Sequence, residues 1–105
     1  MKAQNSLQQG SVRTLIYKEG KEWFAVALEF NIVETGSDPR EVMMLLDEAI
    51  RGYILSARKS KLSSSVLDQK PAPEYEKLWQ VAQTKKAAPS PIVFYSSGMR
   101  SVAFA

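Results

Sequence analysis

"ETGSDPREVMMLLDEAI", Glu34 to Ile50, decides the fold, because an extended run ends and a long helix begins inside it. Gly36 stops the run. Asp38 stands directly before Pro39, and proline is favoured at the first helical position. Asp38 is placed to cap a free backbone amide with its carboxylate. Glu41, three residues on, completes a capping box in its aspartate variant. Apolar residues then fall at Val42, Leu45, Leu46, Ala49, Ile50, Tyr53, Ile54 and Ala57. Steps of three and four give one apolar stripe along four turns. The other face carries Arg40, Asp47, Glu48, Arg51, Arg58 and Lys59, acids early and bases late, as the helix dipole prefers. A helix over 39–60 is expected, with Gly52 as its weak point. A helix start can hold a phosphate on its free amides. A phosphate loop, however, needs several glycines and a lysine. GSDP has one glycine, and Asp38 puts negative charge where the anion would sit, so the loop is read as a cap.

Upstream, "SVRTLIYKEGKEWFAVALEF" reads as two strands. Val12, Thr14 and Ile16 point one way; Arg13, Leu15 and Tyr17 the other. Gly20 suits the tight turn of a hairpin. In the second strand Phe24, Val26, Leu28 and Phe30 form the bulkier face, expected toward the core. Trp23, Ala25 and Ala27 form the smaller face, either solvent-facing or covered by a later element. "NIVETG" adds a third strand after a bend at Asn31. The prediction is an α+β fold: a three-stranded antiparallel meander (about 11–18, 22–30 and 31–36), helix 39–60, a second helix about 73–86 and a C-terminal β-hairpin over 91–104. Residues 1–10 read as a loose leader and 61–72 as a connector, in a single domain 1–105.

The second helix rests on Tyr75, Leu78, Trp79 and Ala82, with Pro73 in its first turn. The hairpin rests on apolar runs either side of Ser97-Gly98. Ile92, Phe94, Val102 and Phe104 are too apolar for an idle tail and are expected at an interface, on a sheet edge of the same chain or of a neighbour.

Composition narrows the chemistry. The chain has 105 residues, 45% of them hydrophobic, with ten aromatics, which suits one small core. There is no cysteine and no histidine. Disulfides, thiolate metal sites, cysteine nucleophiles and histidine-based triads are thereby excluded. Catalysis is not expected, nor a cofactor or a metal. The N-terminus lacks the apolar core of a secretory signal and no apolar run spans a bilayer, so a cytoplasmic protein without a membrane partner is expected. Residues 1–50 hold five Lys/Arg against eight Asp/Glu, a net −3; residues 51–105 hold nine against three, a net +6. Such an asymmetry allows an acidic or nucleic-acid partner on the basic side.

Three groups are candidates for chemistry. Glu29 and Glu34 flank one bend and could act as a carboxylate pair or bind a metal, although ordinary surface charge explains them as well. Arg58, Lys59 and Lys61, joined in space by Lys85 and Lys86, form a candidate nucleic-acid contact. Cations at a helix C-terminus also offset the dipole. Trp23, Tyr53, Tyr75 and Trp79 stand at core spacing.

The order of elements resembles the HicB-like antitoxin family. The matching residues are Gly20 in the hairpin, Gly36-Ser37-Asp38 in the loop, Glu41 in the first helical turn, and Glu48-Ala49-Ile50 with Tyr53 further on, covering about residues 11–60. The bend "LEFNIVETG" lacks the family's Pro-Gly pair, and nothing after residue 60 reads as a DNA-binding helix pair. The resemblance implies a partly formed RNase H-like fold and a binding role. In such families this domain neutralises a small ribonuclease toxin by direct contact and often self-associates. A homo-oligomer with a possible small toxin partner is therefore the leading expectation, with a nucleic-acid-binding module or an orphan domain as the alternatives.

Overall fold

The computed structural model describes residues 9–60, 64–84 and 91–103. In chain order it contains β1 (Gln9–Glu19), β2 (Glu22–Ala27), a 3-10 turn (Leu28–Phe30), β3 (Ile32–Gly36), α1 (Pro39–Lys59), a second 3-10 turn (Ser64–Leu67), α2 (Pro73–Gln83) and β4 (Ile92–Ala103). The fold is α+β. The four strands form one antiparallel sheet in the order β3-β2-β1-β4. Helix α1 packs on one face, and α2 packs on the other.

The cap reads largely as the sequence predicts. Asp38 accepts a hydrogen bond from the Arg40 amide at 2.7 Å. Glu41 departs from a capping box: its Oε1 accepts from the Ser37 amide at 3.2 Å, one residue further back. This reach explains Gly36. A Cβ there would run into the Glu41 carboxylate and come within 3.0 Å of Val42 Cγ1.

Alternation along β1 and β2 assigns the faces. Val12, Ile16, Ala25 and Ala27 meet Val42, Leu46, Ile50, Ile54 and Ala57 of α1. Leu15, Tyr17, Val26 and Leu28 lie beneath Tyr75, Leu78, Trp79 and Ala82 of α2. The bulky face of β2 thus meets the core beneath α2, as expected, and the smaller face is the one covered by a later element, the long helix α1. The reason is distance: alanines let a long helix approach closely, and the helix brings its own bulk. The bulky residues fill the space beneath the shorter α2. The strand predicted to run to residue 30 ends at Ala27. The 3-10 turn then rotates Phe30 away from Phe24, Val26 and Leu28 and into the α1 face.

Two other expectations change. The C-terminal hairpin is one continuous strand, paired with β1 from Glu19↔Ile92 to Gln9↔Ala103. Ser97-Gly98 lies inside it, opposite Leu15 and Thr14. A glycine permits a turn without compelling one, and a long open edge on β1 outcompetes a local hairpin. The ladder shifts by one between Ile16 and Tyr17, where Tyr95 is the extra residue. The connector is also less loose than its composition suggests, since Leu67 is fully buried in the α1 core. Strand β1 begins at Gln9, two residues inside the predicted leader. Helix α2 stops at Gln83, and Lys61, Lys85, Lys86 and Phe104 lie outside the described residues.

Candidate interaction surface

The described residues hold a charged cluster, a polar hinge and a set of exposed apolar side chains. The cluster centres on Arg13. Position 13 of β1 points to the α2 face, beside Leu15, where a lone charge would be costly unless paired. Arg13 Nε donates to Glu29 Oε2 at 2.6 Å, and its Nη atoms donate to both oxygens of Glu76 at 2.9 and 2.7 Å. The Arg13 amide also donates to Glu29 Oε1 at 2.8 Å. The guanidinium carbon lies 5.4 Å from the Trp79 ring centroid. Arg13 is thereby a fork that ties β1 and the first 3-10 turn to α2. Its hydrogen bonds hold the Glu76 carboxyl below its ordinary pKa.

This cluster separates the suspected carboxylate pair. Glu29 faces Arg13 on the α2 side, whereas Glu34 pairs with Ala25, whose side chain points to α1. The two acids lie on opposite faces and share no site. Among the described residues, no three potential metal ligands cluster.

The hinge is Asn31, in the left-handed region at φ 52°, which asparagine tolerates better than most residues. Its Nδ2 donates to Gln69 Oε1 and to the Lys70 carbonyl, and its Oδ1 accepts from the Ala72 amide at 3.1 Å. Gln69 also donates its amide to the Glu29 carbonyl at 2.9 Å and its side chain to the Tyr53 hydroxyl. Tyr53 in turn donates to the Val66 carbonyl at 2.5 Å. The chain passes from the α1 face to the α2 face along this network. Burial raises the Tyr53 pKa and does the same for Tyr17 and Tyr75. None of the three is placed to exchange a proton near neutral pH.

The aromatics are structural. Tyr17 and Phe24 stack across β1 and β2 at 5.0 Å, Phe30 meets Tyr53 at 4.9 Å, and Trp23 meets Tyr95 edge-on at 5.5 Å. Of the predicted interface residues, Ile92 and Phe94 pack beneath α2 in this same chain. The side chain of Val102 lies outside the description. The exposed apolar residues are others: Met43, Met44 and Leu55 on α1, and Val93, Tyr95 and Met99 on β4, the last three 55–61% exposed. Met44 follows the helix cap, where periodicity alone shows that it misses the core stripe, whereas Met43, three residues before Leu46 and seven before Ile50, lies at the margin of that stripe. Arg58 and Lys59 are exposed in the last turn of α1.

The Arg13 fork could have been suspected from sequence, because a charge on an otherwise apolar strand face requires a partner. Nothing in the sequence names Glu76, 63 residues away, as that partner. Among the described residues, no helix is long and apolar enough to cross a membrane. Comparison of the chain with known protein families, with curated proteins and with solved structures finds no match.

Proposed function

We propose that this chain is a non-enzymatic binding domain of the HicB-like antitoxin type, which self-associates and neutralises a small ribonuclease toxin by protein contact. The observation that carries this reading is the outer face of α1. Met44 and Leu55 are exposed there, although the helix already has a buried stripe on its other side. Methionine adapts its shape to a partner surface. Glu48 beside Met44 is also exposed, which suits a basic partner. Gly52 supports the same face. It sits in an exposed helix interior, where glycine costs about 1 kcal/mol relative to alanine, and nothing in the chain lies within 4 Å of where its Cβ would be. A partner backbone approaching closely would account for it.

Co-expression with the product of the adjacent reading frame tests the proposal. A complex should co-purify, and Met44→Lys should weaken it at least tenfold without changing the far-UV circular dichroism. Absence of any complex sinks the antitoxin reading. The alternative, a nucleic-acid contact through Arg58 and Lys59, predicts affinity that falls steeply with salt. Failure to bind RNA or DNA at roughly 50 mM salt removes it.

A further inference from the structure

We infer that the outer edge of β4 beyond its bulge, Ser96–Ala103, pairs antiparallel with the same segment of a second copy, joining two sheets into one. This rests on the proposed self-association and says where it occurs.

The two edges of the sheet differ. Strand β3 has five residues, carries Glu34 and lies under α1. It is short and charged, which are ordinary protections against edge pairing. Strand β4 has twelve residues, and Arg100 is its one charged side chain. Asp47 of α1 pairs with that arginine, so the edge carries no net charge and does not repel its own copy. The bulge at Tyr95 protects only the N-terminal quarter of the strand.

Beyond the bulge the sheet is incomplete. Pairing of β2 with β1 begins at Thr14↔Ala27, yet β1 and β4 continue together from Arg13↔Met99 to Gln9↔Ala103. That end is a two-stranded ribbon among the described residues, packed on α1 through Val12 but with no strand of this chain along its β4 edge. A third strand is missing there, and β4 offers the open edge. Gly98 gives independent support. Its φ is not positive, and a Cβ there would meet nothing within 4 Å. Neither conformation nor packing within this chain requires a glycine. In a strand, glycine often marks the close approach of another backbone.

A second copy is favoured over a foreign strand by closure. Antiparallel pairing about a two-fold axis uses the same patch on both chains and leaves no further β4 edge open. The remaining β3 edges are the protected ones, so assembly stops at a dimer.

The test uses the absence of cysteine in the full chain. Single cysteines are placed at Ser97, Gly98, Met99 and Ser101, with Met44→Cys and Leu55→Cys on α1 as comparisons. Each variant is oxidised with oxidised glutathione at micromolar concentration. Disulfides require Cβ atoms roughly 4 Å apart. Cross-linked dimer at one or two β4 positions, and little at Met44 or Leu55, is the expected result. Met99→Glu should convert the dimer to monomer by light scattering. Met99 is more than half exposed, so the fold should be retained, which far-UV circular dichroism checks. A dimer that cross-links at α1 positions and never at β4 overturns the edge assignment and leaves self-association standing. A monomeric parent chain overturns both. Loss of toxin binding with β4 cross-linking intact would overturn the antitoxin reading alone.

Discussion

The two faces of the sheet are held by different physics. On the α1 face a 21-residue helix buries Val42, Leu46, Ile50, Ile54 and Ala57 against small strand residues. The contact is mainly apolar, with the Asp47–Arg100 ion pair at its margin. On the α2 face an 11-residue helix buries no residue completely, has no side-chain cap at Ala72, and sits on half-buried aromatics. What fastens it there is the Arg13 fork to Glu76 and Glu29. The α1 face should therefore open only with global unfolding, while α2 can detach locally. The two tryptophans report the faces separately, since Trp23 packs with the α1 cluster and Trp79 lies in α2.

The largest effect should come from the α1 face. Ile50 is fully buried between helix and sheet. Ile50→Ala should cost about 2–5 kcal/mol, the range for truncating a buried isoleucine. Chemical denaturation should show both tryptophan signals and the far-UV circular dichroism shifting together. Separate transitions would mean that the α1 face is not the cooperative core.

A smaller effect is expected from the α2 clamp. Arg13→Leu leaves Glu29 and Glu76 facing one another without their shared cation. The loss should be about 1–3 kcal/mol, the cost of stranding partly buried charged groups. It should appear first in Trp79, read in a Trp23→Phe background, ahead of the helical signal. If Trp79 and the helical signal still move as one, α2 is part of the global unit and the contrast between the faces fails.

How much of this was legible in the sequence follows the same divide. Helix α1 was readable because its evidence is local: Asp38, Pro39 and an unbroken apolar period lie within one run. The meander was readable for the same reason, from strand alternation and Gly20. Helix α2 was visible as a helix, from Tyr75, Leu78 and Trp79, but its place on the opposite face was not. That placement depends on pairs far apart in sequence, Arg13 with Glu76 and Asn31 with Lys70 and Ala72. The course of β4 was misread because Ser97-Gly98 is a local turn signal, whereas the strand's continuity is set by the open edge of β1, some eighty residues earlier. The exposure of Met44 follows from the helical period once the core stripe is fixed. Gly52 and Gly98 acquire meaning only when the surrounding space is known.

The subtlest expected difference is in the response to acid. The Arg13 hydrogen bonds lower the pKa of Glu76 from its ordinary value of 4.5. A carboxylate with a depressed folded pKa contributes stability above the unfolded value, and that contribution disappears as pH falls through the folded value. The clamp should thus be intact at neutral pH and weaken below about pH 4, where the unfolded chain takes up the proton first. Trp79 emission should shift in that range while the α1 helical signal holds. In Arg13→Leu the acid step should vanish, because Glu76 then has no cation to lose. An acid step that survives in Arg13→Leu would assign it to another carboxylate and leave the α2 face no more sensitive to pH than the α1 face.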